Sequence, residues 1–113
     1  MRILNRTKQT VIAEDVRVAL TFGEKLVGLL HRTEVRPLLF RTRFGIHTFG
    51  MKFPIDVVVF DQKGIIRMLQ RSMRPRSFVF WKPSASYVLE LPEWSVDASR
   101  TEVGDEVAVI ETD

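Results

Sequence analysis

Residues 46–60, IHTFGMKFPIDVVVF, hold the side chains best suited to chemistry in this chain. His47 is one of two histidines, and Asp56 follows it in the same segment. A histidine with a carboxylate partner is fixed in one tautomer and can act as a general base or proton shuttle. Glu90, in a later apolar stretch, is a second acid for such a polar centre, and Thr48 is a candidate weak nucleophile. One hypothesis is therefore a small hydrolase or lyase-like enzyme that uses His47 with Asp56.

Two cations near this segment favour a binding site. Arg32 and Lys52 can hold an anion through charge-assisted hydrogen bonds. The leading prediction is a non-catalytic or accessory binding domain for a small polar or anionic ligand, with a pocket formed by Arg32, His47, Thr48, Lys52, Asp56 and Glu90. A structural explanation stands beside it, because Asp56 at the mouth of a buried strand can accept backbone N–H bonds from the preceding loop. Breaking one such bond costs about 1–3 kcal/mol.

A second constellation lies in residues 67–82, RMLQRSMRPRSFVFWK. Arginines that neutralise phosphates, interleaved with aromatic rings that stack on bases, are typical of single-strand nucleic-acid binding. The candidates between Arg67 and Lys82 are Arg71, Arg74, Arg76 and Trp81. Strand alternation puts Phe78 and Phe80 on one face and Trp81 on the other, so at most one face is free to stack a ligand. The alternative is that the phenylalanines pack in the core while the arginines decorate a loop.

Several kinds of site are excluded or disfavoured by composition. The chain has no cysteine, which excludes disulfides, thiolate zinc sites and cysteine nucleophiles. The two histidines form no close-spaced pair, so no metal site is predicted. The six glycines are dispersed and form no phosphate-binding loop. We expect no metal and no cofactor, and the sequence leaves the ligand and the oligomeric state open.

The bulk composition is that of an ordinary globular domain. At 113 residues, with 45% hydrophobic and 27% charged side chains, the chain is expected to form one domain over residues 1–113. The opening MRILNRTKQT lacks the apolar core of a signal peptide, and no stretch approaches a membrane span. We therefore expect a cytoplasmic protein that does not contact membranes. Scarce asparagine with abundant lysine, arginine and glutamate favours a thermophilic source.

Charge is unevenly distributed along the chain. Residues 24–82 hold twelve of the 17 basic side chains, and residues 83–113 hold eight of the 14 acidic ones. The simpler interpretation is that the acidic segment pairs with the basic one, strand against strand. The sharper interpretation is a basic face for a polyanion.

The predicted elements are mostly short strands. β-rich runs occur in MRIL, TVIAEDVRVAL, RPLLFR, SFVFWK, ASYVLELP and DEVAVIET. The clearest pattern is PIDVVVFDQKGIIRML, in which two apolar strands flank a turn and Gly64 supplies the positive φ. A capping-box spacing at Thr21 and Glu24 predicts a short helix over residues 22–31, and WSVDASRT is predicted to hold one helical turn. The whole predicts a mainly β fold, either a barrel or a jelly-roll-like sandwich, with one short helix in the N-terminal third.

The motifs EKLVGLLHR, RPLLF, IHTFGMKFPIDVVVFD, YVLELP and VGDEV resemble those of the domain of unknown function 192 family, in order and spacing. The resemblance runs from about residue 21 to 109 and implies a compact, mostly β domain with no established activity. The positions it matches are Glu24, Gly28, Leu29, Arg32, Leu39, Phe40, Ile46, His47, Thr48, Met51, Pro54, Ile55, Asp56, Phe60, Glu90, Gly104 and Asp105. The chain departs from the family pattern at Leu30, at Pro37 and at Glu93-Trp94. At the last of these positions, many members have a glycine turn.

Overall fold

The computed structural model describes residues 1–19, 36–42, 45–47, 53–75, 77–80 and 86–111. Strands form at the predicted β-rich runs, and one helical turn forms in the segment predicted to hold it. The predicted helix over residues 22–31 lies outside the described residues. In chain order the elements are β1 (Arg2–Asn5), β2 (Thr10–Ala13), β3 (Arg17–Val18), β4 (Leu38–Thr42), β5 (Gly45–His47), β6 (Ile55–Phe60), β7 (Ile66–Met73), β8 (Phe78–Phe80), β9 (Ser86–Pro92), α1 (Ser95–Ala98) and β10 (Val107–Ile110).

The described strands form three sheets that do not close into a barrel, which is one of the two architectures that the sequence predicts. The five-stranded sheet has the order β3-β4-β9-β6-β7, the three-stranded sheet has the order β10-β1-β2, and β5 pairs with β8. Among the described residues, the two larger sheets are joined by one isolated bridge, between Ile65 and Glu106. They bury their apolar surfaces by packing face to face, which does not require closure. The mainly β prediction is confirmed, and the jelly-roll-like connectivity stays a prediction.

The five-stranded sheet buries both of its faces. Leu89 of β9 lies directly opposite Leu39 of β4 and Val58 of β6, and directly opposite residues share a face. These three side chains belong to a core that also contains Ile3 of the three-stranded sheet, so we call this side the packed face. The other side, the far face, carries a second apolar cluster of buried residues: Leu38, Phe40, Ile55, Val57, Val59, Met73 and Val88.

The hairpin between β6 and β7 forms as its turn residues predict. Gly64 has φ +84°, a left-handed conformation that a glycine adopts without penalty. Asp61 stabilises the turn, because its Oδ1 accepts hydrogen bonds from the N–H groups of Lys63 and Ile65 at 2.9 and 3.0 Å. The turn also contacts the other sheet, since the Val107 N–H donates to the Gly64 carbonyl at 2.8 Å. The turn therefore ties β10 to the end of β6.

The acidic C-terminal segment pairs with the basic part of the chain, as the simpler interpretation of the charge distribution predicts. Strand β9 lies between β4 and β6, both from the basic segment. The acidic side chains of this segment, however, form ion pairs with two different parts of the chain. Asp97 binds Arg71, whereas Glu102 and Asp105 bind Lys8 of the N-terminal segment. The acidic segment thus neutralises cations from both of the other segments.

Candidate functional site

Asp56 on β6 is held by backbone groups on both of its carboxylate oxygens. The residue is 1% exposed. Its Oδ1 accepts a hydrogen bond from the Ser72 N–H at 2.9 Å, and its Oδ2 accepts one from the Val96 N–H at 2.9 Å. These two donors belong to β7 and α1, which follow Asp56 in the chain, and not to the preceding loop that the sequence suggested. The contacts are those of a structural carboxylate.

Both donors are N–H groups that regular structure would leave without a partner. Ser72 has φ +49°, and the β6–β7 register shifts between Ile55 and Val57, so the Ser72 N–H is turned out of the ladder. Val96 is the second residue of α1, and the first N–H groups of a helix have no intrahelical acceptor. The residue before α1, Trp94, makes no side-chain cap hydrogen bond. Asp56 of β6 therefore caps the N-terminus of α1.

Glu90 lies on the opposite face of the sheet from Asp56. It stands directly opposite Leu38 of β4 and Val57 of β6, which belong to the far face. Asp56 stands opposite Leu91, which belongs to the packed face. Because successive side chains alternate between faces, the two carboxylates point to opposite sides of the sheet. The structure therefore does not bring them together as one polar centre.

The remaining residues of the predicted pocket lie mostly outside the described residues. His47 ends β5, and its backbone is in register with Phe78 of β8. Arg32, Thr48 and Lys52 lie outside the described part of the chain. The convergence of these residues on one pocket, and the catalytic pair of His47 with Asp56, stay predictions.

The arginine-rich segment is described in part. Arg67 binds Asp61, with Nη2 at 2.6 Å from Oδ2, and Arg71 binds Asp97, with Nε at 2.9 Å from Oδ1. Both arginines and Arg74 are exposed. Arg76, Trp81 and Lys82 lie outside the described residues. The prediction that Arg71, Arg74 and Arg76 share a nucleic-acid-binding face stays a prediction, and two of the segment's cations already have acidic partners.

A buried polar network near the chain ends was missed by sequence reasoning. Asn5, which ends β1 and is 0% exposed, donates from Nδ2 to Thr101 Oγ1 at 3.1 Å and to Asp105 Oδ2 at 2.9 Å. Lys8 Nζ lies 3.0 Å from Asp105 Oδ2 and 3.0 Å from Glu102 Oε2. The sequence signal that could have indicated this network is Asn5, the only asparagine of the chain, which stands at the end of an apolar strand.

The network shifts the pKa values of Asp105 and Lys8. Burial raises the pKa of Asp105, but hydrogen bonds from Asn5, from Lys8 and from the Glu102 N–H outweigh burial and hold that pKa below its ordinary value. The hydrogen bond to Asp105, followed by that to Glu102, raises the pKa of Lys8. These contacts join β1 to the segment before β10, which is a structural role.

In the part of the chain that the structure describes, no group of three histidine or acidic side chains is arranged to hold a metal ion. Nor is any helix in these ranges long and apolar enough to cross a membrane.

Comparison with known families identifies the chain. The model of the family DUF192, described as an uncharacterized ACR, matches residues 3–109. The chain belongs to the DUF192 family. Among its relatives, UPF0127 proteins of Thermococcus sibiricus and Pyrococcus furiosus are 32% and 31% identical to it, over 93% and 91% of this chain and 72% and 93% of theirs. These archaeal relatives agree with the thermophilic source expected from composition, which stays a prediction for this chain.

Two solved structures share the fold. A protein of unknown function from Novosphingobium aromaticivorans superposes with a TM-score of 0.80 at 17% identity, over 96% of this chain and 84% of that one. A protein described as a candidate transcription regulator from Sinorhizobium meliloti has a TM-score of 0.77 at 20% identity, over 95% and 89% of the two chains. At these identities the likeness concerns the fold alone.

The DUF192 motif positions whose side chains are described are mainly buried. Asp56, Glu90 and Asp105 are 1%, 0% and 5% exposed. Asp56 accepts backbone N–H bonds from β7 and α1, and Asp105 accepts side-chain hydrogen bonds from Asn5 and Lys8, so each carboxylate ties distant segments together. In this member of DUF192, two of the three acidic motif residues that the structure describes therefore stabilise the fold.

Proposed function

We propose that this DUF192 protein is a non-catalytic or accessory binding domain that acts in the cytoplasm. Its pocket lies around residues 46–56, IHTFGMKFPID, where this segment meets Arg32 and Glu90, and it takes a small polar or anionic ligand. His47, Thr48 and Lys52 supply further polar contacts to that ligand.

The observation that supports a domain without catalysis is the hydrogen bonding of the Asp56 carboxylate. A carboxylate that orients a catalytic histidine needs an oxygen available to the ring N–H. Both Asp56 oxygens accept backbone N–H bonds at 2.9 Å. A hydrogen bond from the His47 ring would therefore have to share an oxygen with one of these N–H groups or displace that group. This supports binding over the hydrolase or lyase-like alternative.

The position of Glu90 supports the location of the pocket. Glu90 stands opposite Val57, the residue that follows segment 46–56, so the segment enters the sheet beside it. The residue is 0% exposed among the apolar side chains of the far face. A buried carboxyl is costly unless polar groups satisfy it, so its presence there favours a polar site that includes this position.

The experiment is a thermal-unfolding screen of the parent against inorganic phosphate, citrate and glycerol, with Arg32→Gln and Glu90→Gln as test variants and Arg100→Gln, an exposed cation outside both proposed sites, as the matched control. We expect at least one probe to raise the parent's midpoint in a saturable manner. Both test variants should lose that shift and the control should keep it. Hydrolysis of a p-nitrophenyl ester that disappears in His47→Gln would instead support the enzyme.

A weaker second proposal is nucleic-acid binding through residues 67–82. Exposed Arg67, Arg71 and Arg74 on and beside the sheet's edge strand favour it, and a protein of the same fold is described as a candidate transcription regulator. The pairing of Arg67 with Asp61 and of Arg71 with Asp97 weakens it. Duplex affinity should then fall with salt at a log–log slope of about −0.9 for each phosphate neutralised. Affinity that does not change with salt would remove this proposal.

A further inference from the structure

We propose that the cleft between the hairpin turn 61–64 and β10 is a second binding site, for a small amphipathic anion such as an arylalkyl carboxylate. The cleft has a volume of about 340 Å³. Leu39, Phe60 and Tyr87 of the five-stranded sheet form one wall, Val107 and Val109 form the other, and the turn forms the mouth. Pockets for small organic ligands begin at about this size.

The cleft is distinct from the pocket at residues 46–56. Strand β6 runs from Ile55, beside that pocket, to Phe60, which lines the cleft. At about 3.3 Å per residue the two positions are separated by roughly 17 Å. The inference therefore does not depend on the proposed function, and one ligand can be tested without the other.

The mouth of the cleft is preformed. An added Cβ on Gly64 would lie 2.8 Å from the Val107 carbonyl oxygen, so the turn is in close contact with β10. The Val107 N–H donates to the Gly64 carbonyl, and Asp61 accepts hydrogen bonds from the N–H groups of Lys63 and Ile65. A rigid mouth reduces the loss of conformational entropy on binding.

The interior offers apolar surface that the fold leaves uncovered. Val109 stands directly opposite Ile3, which is 0% exposed, so both project towards the core. Val109 is nevertheless 44% exposed, because the cleft lies over it. On the opposite wall, the ring of Tyr87 stacks on that of Phe60, with centroids 5.3 Å apart. Aliphatic and aromatic walls of this kind suit the apolar body of a ligand.

The charge around the cleft favours an anion. Asp61 is the acidic residue of the lining, and it is neutralised by Arg67, whose Nη2 and Nε lie 2.6 and 2.8 Å from Oδ2. Lys63 at the mouth is exposed, and the Arg41 guanidinium lies 5.1 Å from the Tyr87 ring centroid. Two positive charges thus remain beside an apolar cavity, which matches a ligand with an apolar body and one negative end.

The test is calorimetric titration of the parent with 3-phenylpropionate, against the neutral 3-phenylpropanol and the cationic 3-phenylpropylamine. We expect saturable binding of the acid, weaker binding of the alcohol and none of the amine. Lys63→Gln should weaken binding of the acid about fivefold, as expected for an exposed charge contact of about 1 kcal/mol. Val109→Glu, which puts a negative charge into the cleft, should abolish binding. Arg100→Gln, an exposed cation elsewhere, is the control and should bind as the parent does.

Amide chemical shifts distinguish this site from the first. The acid should shift the amides of Phe60, Lys63 and Tyr87, while those of Ile55 and Glu90 stay in place. The proposal is overturned if the acid and the amine bind equally, if Val109→Glu binds as the parent does while remaining folded, if no saturable binding occurs at millimolar acid, or if the shifts map to Ile55 and Glu90.

Discussion

Replacing Asp56 with asparagine tests whether this carboxylate stabilises the fold. An amide offers one oxygen and one N–H group where the carboxylate offers two oxygens. Whichever way the amide turns, one of the two backbone N–H groups, of Ser72 or of Val96, faces a donor and loses its bond. The surviving bond also becomes a neutral one, which is weaker.

The expected loss is large relative to the stability of a domain of this size. A hydrogen bond to a charged group contributes about 1.5–3 kcal/mol and a stranded buried donor costs about 1–3 kcal/mol, so Asp56→Asn should lose roughly 2–4 kcal/mol. Total unfolding free energies are about 5–15 kcal/mol. The loss should appear in urea unfolding as a lower midpoint at unchanged slope.

Asp97→Asn is the matched control. Asp97 also accepts a hydrogen bond, from Arg71 Nε at 2.9 Å, but its side chain is 57% exposed. An exposed ion pair contributes at most about 1 kcal/mol, so this variant should unfold close to the parent. A loss below about 0.5 kcal/mol for Asp56→Asn, or one no larger than for Asp97→Asn, would refute the structural role of Asp56.

Further predictions concern the chain-end network and the glycine turns. The pKa of Asp105 is lowered in the folded state, so its stabilisation is present above the ordinary value of 3.8 and is lost as pH falls through the lower folded value. Unfolding free energy measured against pH should therefore fall below pH 4 more steeply in the parent than in Asp105→Asn, and equal slopes would contradict this. The pKa of Lys8 is raised from 10.5, so the stabilisation that Lys8 provides is lost only as the pH rises above that value. In Lys8→Met this loss of unfolding free energy at high pH should disappear. Gly64→Ala should destabilise more than Gly104→Ala: both have positive φ, which costs about 1–2 kcal/mol, but only at Gly64 does the new Cβ meet a backbone atom, Val107 O. Equal losses in thermal unfolding would argue against a close approach at Gly64.

Local features of the fold were readable from the sequence because their causes are local. The β6–β7 hairpin follows from two apolar runs around a turn whose Asp61 and Gly64 satisfy the backbone within a few residues. Strand positions follow from β-rich runs in the same way. The sequence could not decide between a barrel and a sandwich, because closure depends on which edge strands meet and no pattern within a strand encodes that pairing.

The candidate site was less predictable because its contacts span the chain. The position of Asp56 at the start of a strand indicates that it can accept backbone hydrogen bonds. Its donors, however, lie 16 and 40 residues later in the chain, which the sequence does not show. The opposite faces of Asp56 and Glu90 depend on the β6–β9 register, which alternation within either strand does not give. The Asn5–Asp105 contact joins residues 100 positions apart.

Binding without catalysis at residues 46–56 can be measured in one NMR titration of the parent with glycerol 3-phosphate, inorganic phosphate and acetate. Protein amide shifts report binding, and the phosphorus resonances of the ester report its conversion in the same tube. We expect saturable shifts at the amides of Ile55, Asp56 and Glu90 with at least one probe, and an ester that stays intact. Release of phosphate that His47→Gln abolishes, or amides at these positions that stay unmoved by all three probes, would contradict this expectation.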